Sequence, residues 1–295
     1  MQNRNTRLGK AIVLVATLLV FPLAGCREHH ELDSAAKVAR VGNQRATKLA
    51  DYYGTLAQGA AQLPRTYAFR TQQDPPPPVV ADPAKKQEGD YKARQAMAQR
   101  LSALYVTMEA IATNKPDDVQ AATKKLRSAV EDVNSGHKLA ASVGGQPVNA
   151  TLIGQLLNGV VRDLEDLQKV KNVTRANNDL KNVVQKIEKV YDAEEGVYKQ
   201  SADGFADERR DWAQYCLDNG IAYPTSAVQP LLDPSGLKVN ASPSTEQAKL
   251  LYKNLIVKAH SEAVNTSQAD ADANKELLLQ QIKDHDDLAI QLRQP

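Results

Sequence analysis

The chain has 295 residues, of which 42% are hydrophobic, 24% charged and 5% aromatic. This length suits one large domain or two small ones, and the composition excludes a disordered tail and a mini-protein. Glycine (15) and proline (14) are near or below average usage, which excludes collagen-like and low-complexity chains.

The net charge of +2 is spread unevenly. Arg4, Arg7 and Lys10 precede the first apolar run, and no acidic residue occurs before Glu28. Without residues 1–25, 34 of the 37 basic residues remain against all 35 acidic ones, a net charge of −1. Because a near-neutral chain lacks the basic field that attracts nucleic acid, we expect no nucleic-acid partner.

The N-terminus has the organisation of a secretory signal. Residues 1–10 are polar and basic, residues 11–21 are an unbroken apolar run, and Leu23-Ala24-Gly25-Cys26 follows. A membrane-spanning helix needs about 20 apolar residues, so this run is too short to be one. We expect residues 1–25 to be a cleaved signal peptide.

The Leu-Ala-Gly-Cys cassette resembles the lipobox of bacterial lipoprotein precursors. The resemblance implies a diacylglycerol on Cys26, cleavage after Gly25 and a further acyl chain on the new amino terminus, and two or three acyl chains anchor a protein stably. Ordinary secretory cleavage is the alternative. Residues 26–31 are then the lipidated cysteine and a short polar tether. Position 27 is Arg, not the Asp that resembles an inner-membrane retention signal, which favours the outer membrane if the cell is Gram-negative.

Apolar and small residues recur at steps of three and four from Leu32 to Leu63, which predicts a long helix with a coiled-coil-like seam. Its members are Leu32, Ala35, Ala39, Gly42, Ala46, Leu49, Tyr53, Leu56, Ala60 and Leu63. Pro64 is expected to weaken this helix, and the prolines at 75–78 and 83 predict a crossover loop at about residues 70–88.

Four further helices are predicted downstream. The second runs from about Asp90 to Ala112, the third from Pro116 until Gly144, the fourth and longest from Asn149 to Asn219, and the last from Ser242 to about Leu292. Their apolar stripes include Met97, Leu101, Leu104, Met108, Ile111, Val173, Ala176, Leu180, Val183, Ile187, Val190, Val197, Leu278, Ile282 and Leu288. Residues 221–243 are rich in proline and apolar residues, which predicts a long strap lying on the helices. Strand alternation is not sustained anywhere.

These patterns predict an all-α fold, an elongated bundle of about five helices that forms a single domain over residues 32–295. The apolar seam of the first helix could also pack against the same seam of a second chain, so self-association is an alternative to packing within one chain.

Linear motifs for catalysis and metal binding are incomplete. His30-Glu31 begins a zinc-protease motif, but Ser34 stands where its second histidine belongs. Asp270-x-Asp272-x-Asn274 begins a calcium loop that lacks its turn glycine and its last carboxylate, so a solvated helix face is the simpler interpretation. His285 lies in the acidic run 284–287, which we interpret as an exposed acidic patch. We therefore predict no catalytic residues, no metal site and no cofactor.

Cys216 would be the only thiol left after lipidation, and we expect it to be a small buried apolar side chain under a helix end. An intermolecular disulfide and a reactive thiol are the alternatives. Close to it in sequence, a cluster of aromatic and arginine residues is typical of a ligand or partner surface. Its members are Arg209, Arg210, Trp212, Tyr215 and Tyr223. Core packing is the competing interpretation of this cluster.

The sequence favours a lipid-anchored envelope lipoprotein with a non-catalytic structural or protein-interaction role. Its expected partners are the membrane, through the lipid on Cys26, and an envelope protein or a second copy. The alternatives are a small-ligand or metal binding module that uses the aromatic cluster, and an enzyme whose residues meet only in three dimensions.

Overall fold

A computed structural model describes residues 5–113, 142–143, 146–147, 170–219 and 246–293. Side chains are described from residue 30 onward within these ranges, apart from residues 142–143 and 146–147 and a few at the starts of the last two helices. The helices are α1 (Asn5–Thr71), α2 (Pro78–Ala112), α3 (Val170–Asp218) and α4 (Glu246–Gln291). Two-residue strands β1 (Ser142–Val143) and β2 (Gln146–Pro147) form one antiparallel pair.

The all-α prediction is confirmed, with four helices in the described ranges. The predicted third helix lies outside the described residues except at its end, where Ser142–Val143 form strand β1 and not helix. The first part of the predicted fourth helix, from Asn149, and the strap 221–243 also lie outside the described residues. Cys26 and Gly25 fall within the helical span of α1, but their side chains lie outside the described part, so lipidation and cleavage stay predictions.

The helices pack as an up-and-down bundle in which α1 touches the other three. α1 and α3 run parallel, since Tyr53 meets Tyr198 near their middles and Gln72 meets Tyr215 near their ends. α2 and α4 run the opposite way. A helix of 49 residues such as α3 is about 74 Å long at 1.5 Å per residue, which makes the bundle elongated.

The core confirms the predicted first seam. Seven of its ten positions are buried apolar side chains, Gly42 is buried as well, and Leu32 and Leu63 pack against the edge of the core. A Cβ at Gly42 would lie 2.4 Å from the Tyr105 ring, so the missing side chain is what lets α2 approach. Since the seam is occupied by α2, α3 and α4, it is used within the chain.

The predicted loop at 70–88 is wrong, because the connection between α1 and α2 covers only residues 72–77. α1 continues through Pro64, where the buried Ala60 and Ala68 on either side hold the helix against its neighbours. α2 begins at Pro78, because the first residue of a helix needs no N–H donor. Pro83 lies inside the helix and leaves only the carbonyl of Val79, a residue 79% exposed, without its helical bond.

α1 ends in a left-handed residue that is not glycine. Gln72 has a φ of 55°, and the N–H of Gln73 donates to the carbonyl of Ala68 at 3.1 Å. This six-to-one hydrogen bond is that of a Schellman cap, which turns the chain sharply towards α2.

Candidate functional site

An open groove of about 880 Å³ lies between α1 and α4, with α3 as its floor. It exists because α4 packs on α1 only near its C-terminal end, where Arg45 pairs with Asp284 at 2.6 Å and Gln281 donates to the carbonyl of Gly42 at 3.4 Å. Further towards its N-terminus α4 follows α3, held there by Tyr191 and the carbonyl of Ala271. We call this space the α1–α4 groove.

The floor of the α1–α4 groove is apolar and its sides are polar. Tyr52, Leu56, Ala202 and Phe205 form the floor. The charged residues that line the groove are Lys48 and Asp51 from α1, Arg209 from α3, and Glu262 and Asp270 from α4. A concave apolar surface with a few polar groups is the usual form of a ligand site.

Arg209 is the partly buried cation of this groove. Its Nε donates to the carbonyl of Phe205 at 3.2 Å, and burial lowers the pKa of its guanidinium. Among the residues that the structure describes, it forms no ion pair. Asp270, on the opposite side, likewise forms none there, and burial raises the pKa of its carboxyl.

The aromatic cluster predicted as one surface is divided by the fold. Arg210 points to the outside, where it pairs with Asp207 and Asp211 at 2.9 and 2.8 Å. Trp212 is only 4% exposed and packs edge-on against Phe69, so core packing is the correct interpretation for it.

Tyr215 is half-buried against the same Phe69 ring, and its hydroxyl accepts a hydrogen bond from Gln72 at 3.1 Å. Tyr223 lies outside the described residues. Of the four predicted residues that the structure describes, only Arg209 lines the groove, because helical spacing turns it and Arg210 to different sides of α3.

Cys216 is a free, fully buried thiol in a small cluster with Trp212, Leu217 and Ile256. The predicted apolar role under a helix end is confirmed, since α3 ends two residues later.

The prediction that His285 belongs to an exposed acidic patch is wrong. The residue is fully buried where all four helices meet. Its Nδ1 donates to Oδ1 of Asn177 at 2.7 Å, and its Nε2 accepts from the hydroxyl of Tyr105 at 2.6 Å. Asn177 also donates to the His285 carbonyl at 2.9 Å, which fixes its amide orientation and hence this tautomer. Burial lowers the pKa of His285 to about 4.

The acidic neighbours of His285 face outward and pair with other helices. Asp284 pairs with Arg45 of α1, and Asp286 pairs with Lys181 of α3. Burial keeps the histidine neutral in the centre, where its hydrogen bonds join α4 to α2 and α3.

The core contains a second polar group, which the sequence analysis did not predict. Arg94 and Glu194 form a buried ion pair, which the Tyr198 hydroxyl joins by donating to Glu194 and by accepting from Arg94 Nε. Tyr198 belongs to a connected cluster of five tyrosines, in which the ring centroids of contacting pairs lie 5.2–6.4 Å apart: Tyr52, Tyr53, Tyr91, Tyr191 and Tyr198. The sequence did contain an indication of this group. Arg94 precedes Met97 by three residues, which places a charged residue on the inward stripe of α2.

The Asp270-x-Asp272-x-Asn274 run lies inside α4. Asp270 and Asp272 are exposed, as the prediction of a solvated helix face requires, but Asn274 is only 7% exposed, so the prediction is wrong for that residue. Within the described ranges, three or more potential ligand residues do not come together in a group that could hold a metal ion. Over the same ranges, we find no helix with both the length and the apolar character needed to cross a membrane.

Comparisons with known proteins add nothing to this picture, since no protein family, curated protein or solved structure matches the chain.

Proposed function

We propose that this protein is an exported lipoprotein, anchored through Cys26, whose helical bundle presents a partner surface to another component of the cell envelope. The observation that carries the proposal is the short distance in sequence between the lipobox and the core. Ala35, the first fully buried residue among those whose side chains the structure describes, follows Cys26 by only nine positions. The lipid therefore holds the bundle itself, and not a long flexible arm, close to the membrane.

The direction of α1 determines which end of the bundle faces away. α1 is helical from before Cys26 to Thr71, a distance of about 68 Å between these residues at 1.5 Å per residue. The turn at 72–77 and the end of α3 are thus at the far end from the lipid. A bundle that stands on the membrane would expose the outer faces of its helices over this distance from the membrane surface.

The outer face of α4 supports a partner role. Four large apolar side chains on it are 41–63% exposed: Leu250, Val257, Leu279 and Ile290. Their spacings of 7, 22 and 11 residues are close to whole numbers of helical turns, so all four lie on one side of α4. Single exposed apolar residues are common, but an aligned set along one helix favours an interaction surface. The first seam is already used inside the chain, which favours a partner other than a second copy.

The anchor is tested by metabolic labelling with a radioactive fatty acid and by membrane fractionation. We expect the wild-type chain to be labelled and to sediment with membranes, and Cys26→Ala to be neither. Cys216→Ala is the matched control, because it removes the other cysteine and should keep both properties. Labelling of Cys26→Ala, or a wild-type chain released as a soluble protein, would contradict the anchor.

The partner surface is tested by photo-crosslinking in cells. A photoreactive amino acid at Val257 should give a discrete crosslinked product in the lipidated protein. The control position is Val79, which is also exposed and apolar but lies on α2. Equal products from both positions, or none from Val257, would rule out the α4 face as the partner surface.

A further inference from the structure

The α1–α4 groove holds charges of opposite sign without counter-charges. Arg209 near one end and Asp270 towards the other form no ion pair within the part of the chain that the structure describes, although the surface around them is rich in ion pairs. A guanidinium that is partly desolvated and unpaired favours the binding of an anion, ideally a carboxylate that accepts two N–H bonds.

A third polar group lies beside Asp270. Asn274 is 7% exposed, and its amide nitrogen donates to the carbonyl of Asp270 at 2.7 Å. Its Oδ1 is buried against the groove with no hydrogen-bond partner in the described residues. An amide oxygen only accepts, so what it lacks is an N–H or O–H donor. Asp51 of α1 lines the same end of the groove and adds a second carboxylate there.

The distance between the two ends follows from the helix contacts. The hydrogen bond to Phe205 places the Arg209 guanidinium at the level of residue 205. His260 contacts Asp207 at 2.8 Å and Gln268 contacts Asp203 at 3.4 Å, which together place residues 262–266 of α4 at that same level. Asp270 is four to eight residues further along α4, or about 6–12 Å. An extended chain advances about 3.3–3.6 Å per residue, so two to four residues span this distance.

We infer that the α1–α4 groove binds a short peptide of two to four residues with free ends, its terminal carboxylate on Arg209 and its terminal ammonium at Asp270 and Asn274. Apolar side chains of the peptide lie on the floor formed by Leu56, Ala202 and Phe205. Glu262 lies near the carboxylate end, but its own carboxylate is 3.8 Å from Lys258. This inference does not rest on the proposed lipid anchor or on the α4 partner face.

The test is calorimetric titration of the full-length protein in detergent with the tripeptide Ala-Leu-Ala. We expect saturable binding with one peptide per chain. Amidation of its carboxylate and the substitution Arg209→Gln should each weaken binding by about tenfold or more, because each removes one side of a charge-assisted contact. Arg210→Gln is the matched control, since it removes the neighbouring arginine from outside the groove and should leave affinity unchanged.

The ammonium end is tested separately with Asp270→Asn and with the N-acetylated peptide, which should each bind at least several times more weakly. Asp270 is exposed on α4, so Asp270→Asn should fold and keeps the test valid if Arg209→Gln does not fold. Absence of saturable binding up to millimolar peptide would overturn the inference. The same result is expected, and overturns it equally, if residues 220–245 of the same chain cover the groove. Equal affinity for the acetylated peptide would overturn it in favour of a simple carboxylate ligand.

Discussion

Arg94 of α2 and Glu194 of α3 form a bidentate ion pair inside the bundle, with nitrogen–oxygen distances of 2.5 and 2.6 Å. The two residues are 5% and 2% exposed, so both charges are taken out of water. A buried pair of this kind adds little stability compared with well-packed apolar residues, but either charge alone is costly. The pair therefore fixes which face of α2 meets α3.

Removing one member of this pair should destabilise the protein strongly. We expect Arg94→Met to lower the free energy of unfolding by about 3–5 kcal/mol, because it leaves the Glu194 carboxylate buried without its cation. The double substitution Arg94→Met with Glu194→Met should recover much of that loss. Urea unfolding followed by circular dichroism measures both values. Glu88→Gln, which breaks the exposed pair with Lys92, is the control and should change stability by less than about 1 kcal/mol.

Two glycines should respond in opposite directions to the same substitution. Gly42→Ala places a Cβ 2.4 Å from the fully buried Tyr105 ring, and overpacking of this kind costs about 1–3 kcal/mol. Gly89→Ala meets nothing within 4 Å on the exposed side of α2 and should stabilise by about 0.5–1 kcal/mol. Thermal unfolding of both variants measures the difference. A neutral Gly42→Ala would contradict the packing of α1 on α2, and a destabilised Gly89→Ala would contradict the open helical position of residue 89.

Helical periodicity predicted the fold well because burial in this bundle follows the seams. Residues 32–63 show one apolar or small residue at each inward position, and the structure places these residues in the core. The same rule failed at Val197, a stripe residue that is 36% exposed, because Tyr198 next to it takes the inward position. The hydrophobic pattern of the sequence does not show which of two adjacent apolar residues faces the core.

The candidate site depends on contacts that the sequence does not encode locally. Arg209 and Asp270 lie 61 residues apart on different helices, and the groove between them arises where α4 leaves α1. His285 looked exposed because three acidic residues adjoin it, yet two of them pair with Arg45 and Lys181 on other helices. Sequence reasoning could identify these charged residues but could not pair them.

The buried thiol of Cys216 offers a probe of local opening. It is fully buried, and burial raises its pKa, so both access and the thiolate fraction are low. In a Cys26→Ala chain, we expect native Cys216 to react slowly with a chromogenic disulfide reagent and to react fast once urea unfolds the bundle. A chain with Asp218→Cys and Cys216→Ala is the control, because position 218 is exposed and its thiol should react at once. Rapid reaction of native Cys216 would mean that the end of α3 opens readily.

The buried His285 should make the protein sensitive to mild acid. Its pKa is lowered from about 6.5 to about 4, since the folded protein holds it neutral. As the pH falls below 6.5, the unfolded chain takes up a proton that the folded chain refuses until about pH 4. Stability from this group is therefore lost as the pH falls from 6.5 to 4, by about 3 kcal/mol in total, and changes no further below that range.

The charges around His285 decide how this prediction is measured. Asp284 and Asp286 of α4, Arg45 of α1 and Lys181 of α3 lie nearby and also act on the imidazole. The free energy of unfolding should therefore be compared between wild type and His285→Asn at pH 7, 6 and 5, because the difference in slope between the two isolates the contribution of the histidine. We expect a less stable variant with a smaller loss on acidification, while His30→Gln, an exposed substitution, should keep the wild-type slope. An unchanged slope in His285→Asn would mean that another group carries the acid sensitivity.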